Sequence, residues 1–354
     1  MVATCLWLAF RDVSIAAAAQ LLAEAGPALA LVPVPFLFAQ LADAKACQLL
    51  FGRMAPAPPF AHMFQSQVAG EASTLALPMG FLVGESLRPW LLARGNSARL
   101  ASSIAAVTGR KCLLIAAEGG WMLLALLLAP SLVSQLSQQL VGGPWLIVAT
   151  LVLATALLGT GWLMASIFGG GSVAARLFQR LTRSLPGRLG ARVARGEAHF
   201  ARTDSQLQLV FSRPLSALVV PGLLYLSVWV LEGLEVWLIL RLLNVHVPLT
   251  TAFYIEAVVA SCRFLLPLTP AGLGVQDAGY VAFFTALGLP GALGVGAAFC
   301  MIKRSRELLW CLLGASCWVL ARRAVVPARG VSASVPGGLP ATIVAVGISS
   351  PPDT

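Results

Sequence analysis

Six cationic side chains lie in stretches of the chain that are otherwise apolar. A charge at the centre of a bilayer costs roughly 2.5–3.5 kcal/mol even on a lenient insertion scale, so such residues are by default paired or functional. The planar fork of arginine suits phosphate, and a lipid phosphate is the anion most available at that depth. For any one residue, a structural ion pair or snorkelling near a helix end is the alternative. Together the six predict a site for an anionic group: Arg110, Lys111, Arg263, Lys303, Arg304 and Arg306.

Acidic side chains accompany these cations. Glu71, Glu235 and Glu256 lie in apolar stretches, and ion pairs of Glu235 or Glu256 with Arg263 are the structural alternative. A lipid-modifying enzyme that uses Glu71, Glu235 or Asp277 is the least favoured interpretation, because the sequence contains no recognisable nucleophile and base. Glu85 and the pair Gln276–Asp277 each follow a glycine-containing stretch. We expect Glu85 and Asp277 to line a polar site or to couple it to protons.

Other chemistry is disfavoured by what the sequence contains. The seven cysteines show no CxxC spacing, the three histidines lie far apart, and no P-loop pattern occurs. We therefore expect neither a metal nor a cofactor, and no ATP-driven step within this chain. The net charge of +10 would suggest nucleic acid in a soluble protein, but the positive-inside rule explains it better here.

Composition predicts the class. Of 354 residues, 58% are hydrophobic and 11% are charged, and the mean hydropathy is +0.85. Several apolar runs, among them 144–168 and 215–240, reach the ~20 residues that a helix needs to cross a bilayer. The sequence thus predicts an all-α, polytopic helical integral membrane protein with one transmembrane domain over 1–326. Residues 327–354, rich in Pro, Gly, Ser and Ala, are predicted to be a disordered C-terminal tail.

The distribution of cations predicts the topology. Residues 172–213 hold eight arginines, so we assign this loop to the cytoplasm and expect part of it to form a surface helix on anionic lipid. Arg322 and Arg323 place the C-terminus on the same side. Alternating the apolar segments outward from this loop leaves two hairpins, over 64–84 and 251–289, that enter the membrane from opposite faces.

The two hairpins resemble each other in sequence. FQSQVAGEASTLALP (64–78) and FYIEAVVASCRFLLP (253–267) both run from Phe to Pro in 14 steps, and a lysine follows Glu85 and Asp277 by 26 residues in each case. Matching hairpins of opposite orientation are typical of inverted-repeat transporters, whose broken helices place substrate near the bilayer midplane. The repeats are predicted over about 27–129 and 215–321. The predicted re-entrant breaks contain Pro78, Gly84, Pro267, Pro270, Gly272 and Gly274.

Four stretches resemble the lysylphosphatidylglycerol synthase transmembrane family, also described as flippase-like membrane proteins. They are EVWLILRLLNV (235–245), FYIEAVVASCRFLLPLTPAGLGVQDAGY (253–280), MIKRSRELLW (301–310) and GEASTLALPMGFLVGESLRPWLL (70–92). The resemblance is nearest to the HpnL-type subgroup, named for its occurrence beside hopanoid biosynthesis genes. In the first half, the family pattern falls on Glu71, Pro78, Gly84, Glu85 and Arg88.

The resemblance also carries departures and expectations. The family usually has Glu at Asp277, Gly at Val83 and Asn near Ser73. It implies a multi-pass protein of the bacterial cytoplasmic membrane that handles amphiphilic lipids, with lipid translocation as the leading function. The aminoacylating activity in the family name belongs to an additional soluble domain and is not carried over.

Two functions from different classes remain open. The first is a transporter that moves a phospholipid-like or hopanoid-like lipid between leaflets, with Arg263, Arg304 and Arg306 at the head group. The second is a non-catalytic accessory protein that recruits lipid-biosynthesis enzymes through its Arg-rich loop. Membrane lipids are the expected partners in both cases, nucleic acid in neither, and the oligomeric state is left open.

Overall fold

The computed structural model describes residues 15–52, 54–77, 79–93, 97–170, 197–265 and 272–325, and all regular structure within these ranges is helical. The all-α prediction is thereby confirmed for the described residues, which exclude the predicted tail. A 3₁₀ turn (Gly26–Leu31) follows the first helix. The helices are α1 (Ile15–Ala25), α2 (Pro33–Phe51), α3 (Phe60–Ala76), α4 (Gly80–Ala93), α5 (Ser97–Leu128), α6 (Pro130–Val141), α7 (Trp145–Gly169), α8 (Glu197–Phe211), α9 (Leu215–Leu242), α10 (Leu249–Leu265), α11 (Val275–Ala286) and α12 (Ala292–Val325).

Four helical stretches in the described part of the chain are long and apolar enough to cross a membrane. They are Ala19–Phe51, which joins α1 to α2, Arg99–Leu128 within α5, and the whole of α7 and α9. Each exceeds the ~20 residues that ~30 Å of hydrocarbon requires. The multi-pass helical membrane class is therefore confirmed. Helix α12 is longer still, with 34 residues, but charged side chains interrupt its middle.

Two pairs of shorter helices flank α5 and α12. Helices α3 and α4 have 17 and 14 residues, and α10 and α11 have 17 and 12, so each is shorter than a spanning helix. The members of each pair pack against each other. Between α10 and α11, Gly272 and Gly274 have φ values of +66° and +82°, which favour glycine.

The prediction for the first break is wrong at Gly84. The chain leaves α3 at Leu77 and enters α4 at Gly80, with Met79 at a φ of +52° between them. Gly84 lies inside α4, where it allows a close helix contact described below. Pro78, Pro267 and Pro270 lie outside the described residues.

The helices of the two halves of the chain pack reciprocally. Helix α2 packs against α9, α3 packs against α12, and α10 packs against α5. The largest apolar core is formed mainly by α5, α7, α9, α10, α11 and α12. Large apolar side chains such as Trp145 and Trp162 of α7 stay exposed, as expected for a surface that faces lipid.

Part of the Arg-rich loop packs against the protein. Helix α8 covers its last third and contacts α5 and α7, with Leu207 and Val210 buried against Ala105. Arg213 donates hydrogen bonds to carbonyls at the end of α2, including that of Leu50 at 2.7 Å. Residues 171–196, which carry most of the arginines, lie outside the described residues.

Candidate functional site

A first network of buried charges forms where α2, α3, α4 and α5 meet. Arg110 of α5 lies at its centre and binds Asp43 of α2 with two hydrogen bonds, from Nε at 2.7 Å and from Nη2 at 2.6 Å. Its Nη1 donates to Glu85 of α4 at 3.0 Å. Paired bonds between a guanidinium and a carboxylate are among the strongest side-chain contacts. The first network consists of Asp43, Gln67, Glu71, Glu85, Arg88, Arg110 and Lys111.

Arg88 of α4 forms the other half of the first network. Its Nη2 lies 3.1 Å from Glu71 and its Nη1 lies 3.2 Å from Glu85, while Nε donates to Gln67 at 2.9 Å. Gln67 in turn donates to Asp43 at 2.8 Å. One continuous set of contacts therefore joins four helices.

Glycines bring α3 and α4 close enough for these contacts. A Cβ at Gly70 would lie 2.6 Å from the Arg88 side chain, and a Cβ at Gly84 would lie 2.4 Å from Thr74 Oγ1 and 2.5 Å from the Gly70 carbonyl oxygen. Small residues allow the same close approach between helices in membranes generally. The position of Arg88 therefore depends on glycine at both sites.

The first network contains equal numbers of acidic and basic groups. One side of it is buried and the other is partly exposed. Three carboxylates face three cations. Asp43 and Arg110 are buried, whereas the Glu85 and Lys111 side chains are 23% and 27% exposed, with 3.8 Å between the charged atoms. A partly exposed carboxylate and lysine thus border a buried, neutral interior.

A second network forms where α9, α10, α11 and α12 meet. Arg304 of α12 donates from Nη2 to both carboxylate oxygens of Asp277 at 3.0 Å and from Nη1 to Glu307 at 2.5 Å. Asp277 also accepts the Gly274 N–H at 2.8 Å, in the first turn of α11, where the helix dipole stabilises negative charge. The second network consists of Glu235, Glu256, Asp277, Tyr280, Lys303, Arg304, Arg306 and Glu307.

Lys303 connects α12 to α10 and α11. Its Nζ lies 3.0 Å from Glu256 and 2.6 Å from the Tyr280 hydroxyl, which itself donates to Glu256. Glu256 is fully buried. A buried carboxylate thereby contacts both a cation and a hydroxyl among the described side chains.

Arg306 forms the contact with α9. Its Nε lies 2.8 Å from Glu235 Oε1, but the angle does not meet hydrogen-bond geometry. The guanidinium also lies 4.0 Å from the ring centroid of Phe36 on α2, a cation–π contact. Among the described side chains, the second network holds four carboxylates and three cations. Its Arg304 side chain is 22% exposed.

The two networks approach each other where α3 packs against α12. The thiol of Cys311 on α12 lies 3.9 Å from the Ala72 carbonyl oxygen on α3. Glu71 directly precedes Ala72, and Glu307 lies one helical turn before Cys311. A Cβ at Gly314 would lie 2.3 Å from the Ala72 Cβ. One acid of each network therefore lies near this contact.

The structure places most of the predicted site residues in two networks instead of one cationic site. Each of the predicted cations whose side chain is described lies against a carboxylate. Glu235 and Glu256 pair with Arg306 and Lys303, whereas the Arg263 side chain lies outside the described residues. Gln276 is buried beneath Gly272. Whether these residues bind a head group stays a prediction.

Four members of the networks were not among the predicted site residues: Asp43, Gln67, Tyr280 and Glu307. Asp43 could have been predicted from the sequence, because it is the acidic residue within the apolar helix α2. Gln67 and Tyr280 could not, since amides and phenols are common in ordinary membrane helices.

The helices and networks define a polytopic helical membrane protein with paired charges in its interior. The chain belongs to the family described as the lysylphosphatidylglycerol synthase TM region, whose model matches residues 1–301. This confirms the resemblance at the level of the family and fits a role connected with membrane lipids. Comparisons with curated proteins and with solved structures found no match.

Proposed function

We propose that this protein moves an amphiphilic lipid between the leaflets of the bacterial cytoplasmic membrane. The lipid is phospholipid-like or, if the chain belongs to the HpnL-type subgroup, hopanoid-like. The C-terminus lies in the cytoplasm. The observation that carries the proposal is the correspondence between the two networks.

Helices α2–α5 and α9–α12 carry carboxylates at corresponding places. In the first helix of each set, Asp43 and Glu235 contact an arginine of the fourth helix. In the third helix, Glu85 and Asp277 do the same. The acids of the second helix are Glu71 and Glu256, each paired with a cation. This correspondence supports a repeat.

The packing supports an inverted arrangement of that repeat. The second helix of each set contacts the fourth helix of the other set: α3 packs on α12 and α10 packs on α5. Reciprocal contacts of this kind arise when a two-fold axis relates the halves. An axis in the membrane plane is common among secondary transporters.

The short helices support re-entrant hairpins. If α3–α4 and α10–α11 enter from opposite faces, their breaks lie at membrane depth, where unpaired backbone groups are tolerated only inside protein or beside a water-filled cavity. The charged networks adjoin both pairs of helices and provide a polar lining of that kind.

Head-group binding then works by exchange of partners. The phosphate competes with Glu85 for Lys111 and with Asp277 for Arg304, the cations at the exposed borders. The buried ion pairs carry no net charge, so they add little attraction for the anionic head group. The head group can therefore leave the site again. Rocking of the two halves exposes one border and then the other.

Transport of a fluorescent phosphatidylglycerol in liposomes tests the proposal. The wild-type protein is expected to move label between leaflets faster than protein-free liposomes. In the proposal, Arg304 donates charged hydrogen bonds to the phosphate, each worth roughly 1.5–3 kcal/mol. Arg304→Gln removes them, so its transport rate should fall by more than tenfold. Arg241→Gln, at an exposed arginine over Trp237, should match the wild type. Transport by Arg304→Gln at the wild-type rate, in protein that elutes as a single folded species, would contradict the proposal.

A further inference from the structure

An open apolar groove runs along the outer side of α2, between α3 and α9, and has a volume of about 660 Å³. The groove is lined by Phe38, Leu41, Ala42 and Lys45 of α2, Phe60 of α3 and Leu231 of α9.

The floor of the groove is one face of α2. Leu41 and Ala42 lie three and four residues after Phe38 and four and three before Lys45, so these side chains share one face of the helix. The row that they form is about 10 Å long at 1.5 Å per residue. It is apolar throughout except for Lys45, which lies at one end and is exposed.

Lys45 lies near the end of the membrane span. It precedes Phe51, the last residue of α2, by about 9 Å of helix, and Ala19–Phe51 is one of the candidate spans. Its Nζ donates to Gln48, one turn nearer that end, at 3.0 Å. A lysine at this depth extends its ammonium toward the head groups and leaves its methylenes against apolar surface.

We propose that this groove binds an anionic phospholipid from the leaflet at the α2 C-terminal end. One acyl chain lies along the row from Phe38 to Ala42, and the phosphate binds Lys45. We assign the site to a phospholipid because of charge complementarity with Lys45. A second membrane helix would leave Lys45 against hydrocarbon. Basic pockets between transmembrane helices, in contrast, bind anionic head groups.

The groove also adjoins both networks through shared helices. Ala42 in the groove precedes Asp43 of the first network, and Leu231 lies one turn before Glu235 of the second. The groove is therefore the place where a lipid loads from the side before its head group reaches the interior. This loading role rests on the proposed transport function, whereas the binding site itself does not.

Photocrosslinking with lipids that carry a diazirine on one acyl chain tests the site. In nanodiscs of the full-length protein, phosphatidylglycerol is expected to label α2 between Phe38 and Lys45. One surface cation near anionic lipid contributes about 1 kcal/mol, so Lys45→Gln should reduce this label about fivefold. Label from phosphatidylethanolamine should stay unchanged. Ala42→Trp fills the groove and should abolish both labels.

Two matched variants control for general effects. Ala156→Trp adds the same side chain at an exposed position of α7, and Arg241→Gln removes an exposed cation elsewhere. Both should label α2 as the wild type does. Equal label on α2 and on the exposed face of α7, or unchanged label in Lys45→Gln, overturns the site.

Transport rates separate the site from the loading role. If Ala42→Trp loses the label and also transports lipid at least tenfold more slowly, loading is supported. If it loses the label but transports at the wild-type rate, the loading role is wrong. If the wild-type protein labels as expected but moves no lipid, the transport function fails while the binding site stands.

Discussion

The pair Asp43–Arg110 provides the sharpest test of the first network. Arg110→Met leaves Asp43 buried without the two hydrogen bonds of 2.7 and 2.6 Å that now stabilise its charge. Asp43→Leu likewise removes the closest partner of Arg110. Removing one partner of a buried ion pair typically costs about 3–5 kcal/mol, because an uncompensated charge remains buried.

The double variant, Asp43→Leu with Arg110→Met, should be much less unstable than the two single variants imply. It removes both charges together, and Glu85 keeps Arg88 at 3.2 Å. Replacing a whole buried pair by apolar residues is often neutral. We therefore expect the double variant to lose no more stability than either single variant, which corresponds to a coupling energy of about 3 kcal/mol.

Equilibrium unfolding of the purified protein in mixed detergent micelles measures this cycle, with the wild type, both single variants and the double variant unfolded under the same conditions. A matched pair without contact, such as Ala156→Leu with Arg241→Met, should give additive changes. Additive losses for Asp43 and Arg110 would refute the reasoning, because they would show that the pair contributes no mutual stabilisation.

Two further predictions follow from the packing and the loop. Gly84→Ala should destabilise the fold by about 1–3 kcal/mol, since the new Cβ would lie 2.5 Å from the Gly70 carbonyl oxygen. Gly159→Ala on α7 is the control, because its Cβ would have no neighbour within 4 Å. It should be neutral or stabilising in the same unfolding assay. Replacing residues 172–195 by a Gly/Ser linker of equal length should leave liposome transport within twofold of wild type, because α8 and its contacts remain. Normal transport in liposomes together with loss of function in cells would favour the accessory role.

The sequence was sufficient for the class and for the approximate bounds of two long spans. Apolar runs predicted segments over 144–168 and 215–240, and the structure has helices over Trp145–Gly169 and Leu215–Leu242. Such segments are predictable because the bilayer requires a continuous apolar run of fixed length. The prediction at Gly84 was wrong for a local reason: glycine serves both at helix breaks and at close helix contacts.

The partners within the networks were much less predictable. A carboxylate in an apolar helix, such as Asp43, predicts a partner. Its own segment does not indicate which helix supplies that partner. Arg110 is 67 residues away from Asp43 in sequence. Arg306 is distant from Glu235 in the same way, and only the packing of α9 beside α12 brings them together.

Helix phase explains why the two lysines of the repeat spacing are not the closest partners of Glu85 and Asp277. The repeat placed a lysine 26 residues after both Glu85 and Asp277, yet the strongest partners are Arg110 and Arg304, at separations of 25 and 27. Side chains of adjacent helix residues point about 100° apart. The residue next to a buried cation, such as Lys111 next to Arg110, therefore faces the exposed border of the network. Both helices carry two adjacent cations at this point, and composition therefore does not distinguish their phases. The phase is set by the surrounding helices: Asp43 on α2 binds Arg110 deep inside and leaves Lys111 at the exposed border.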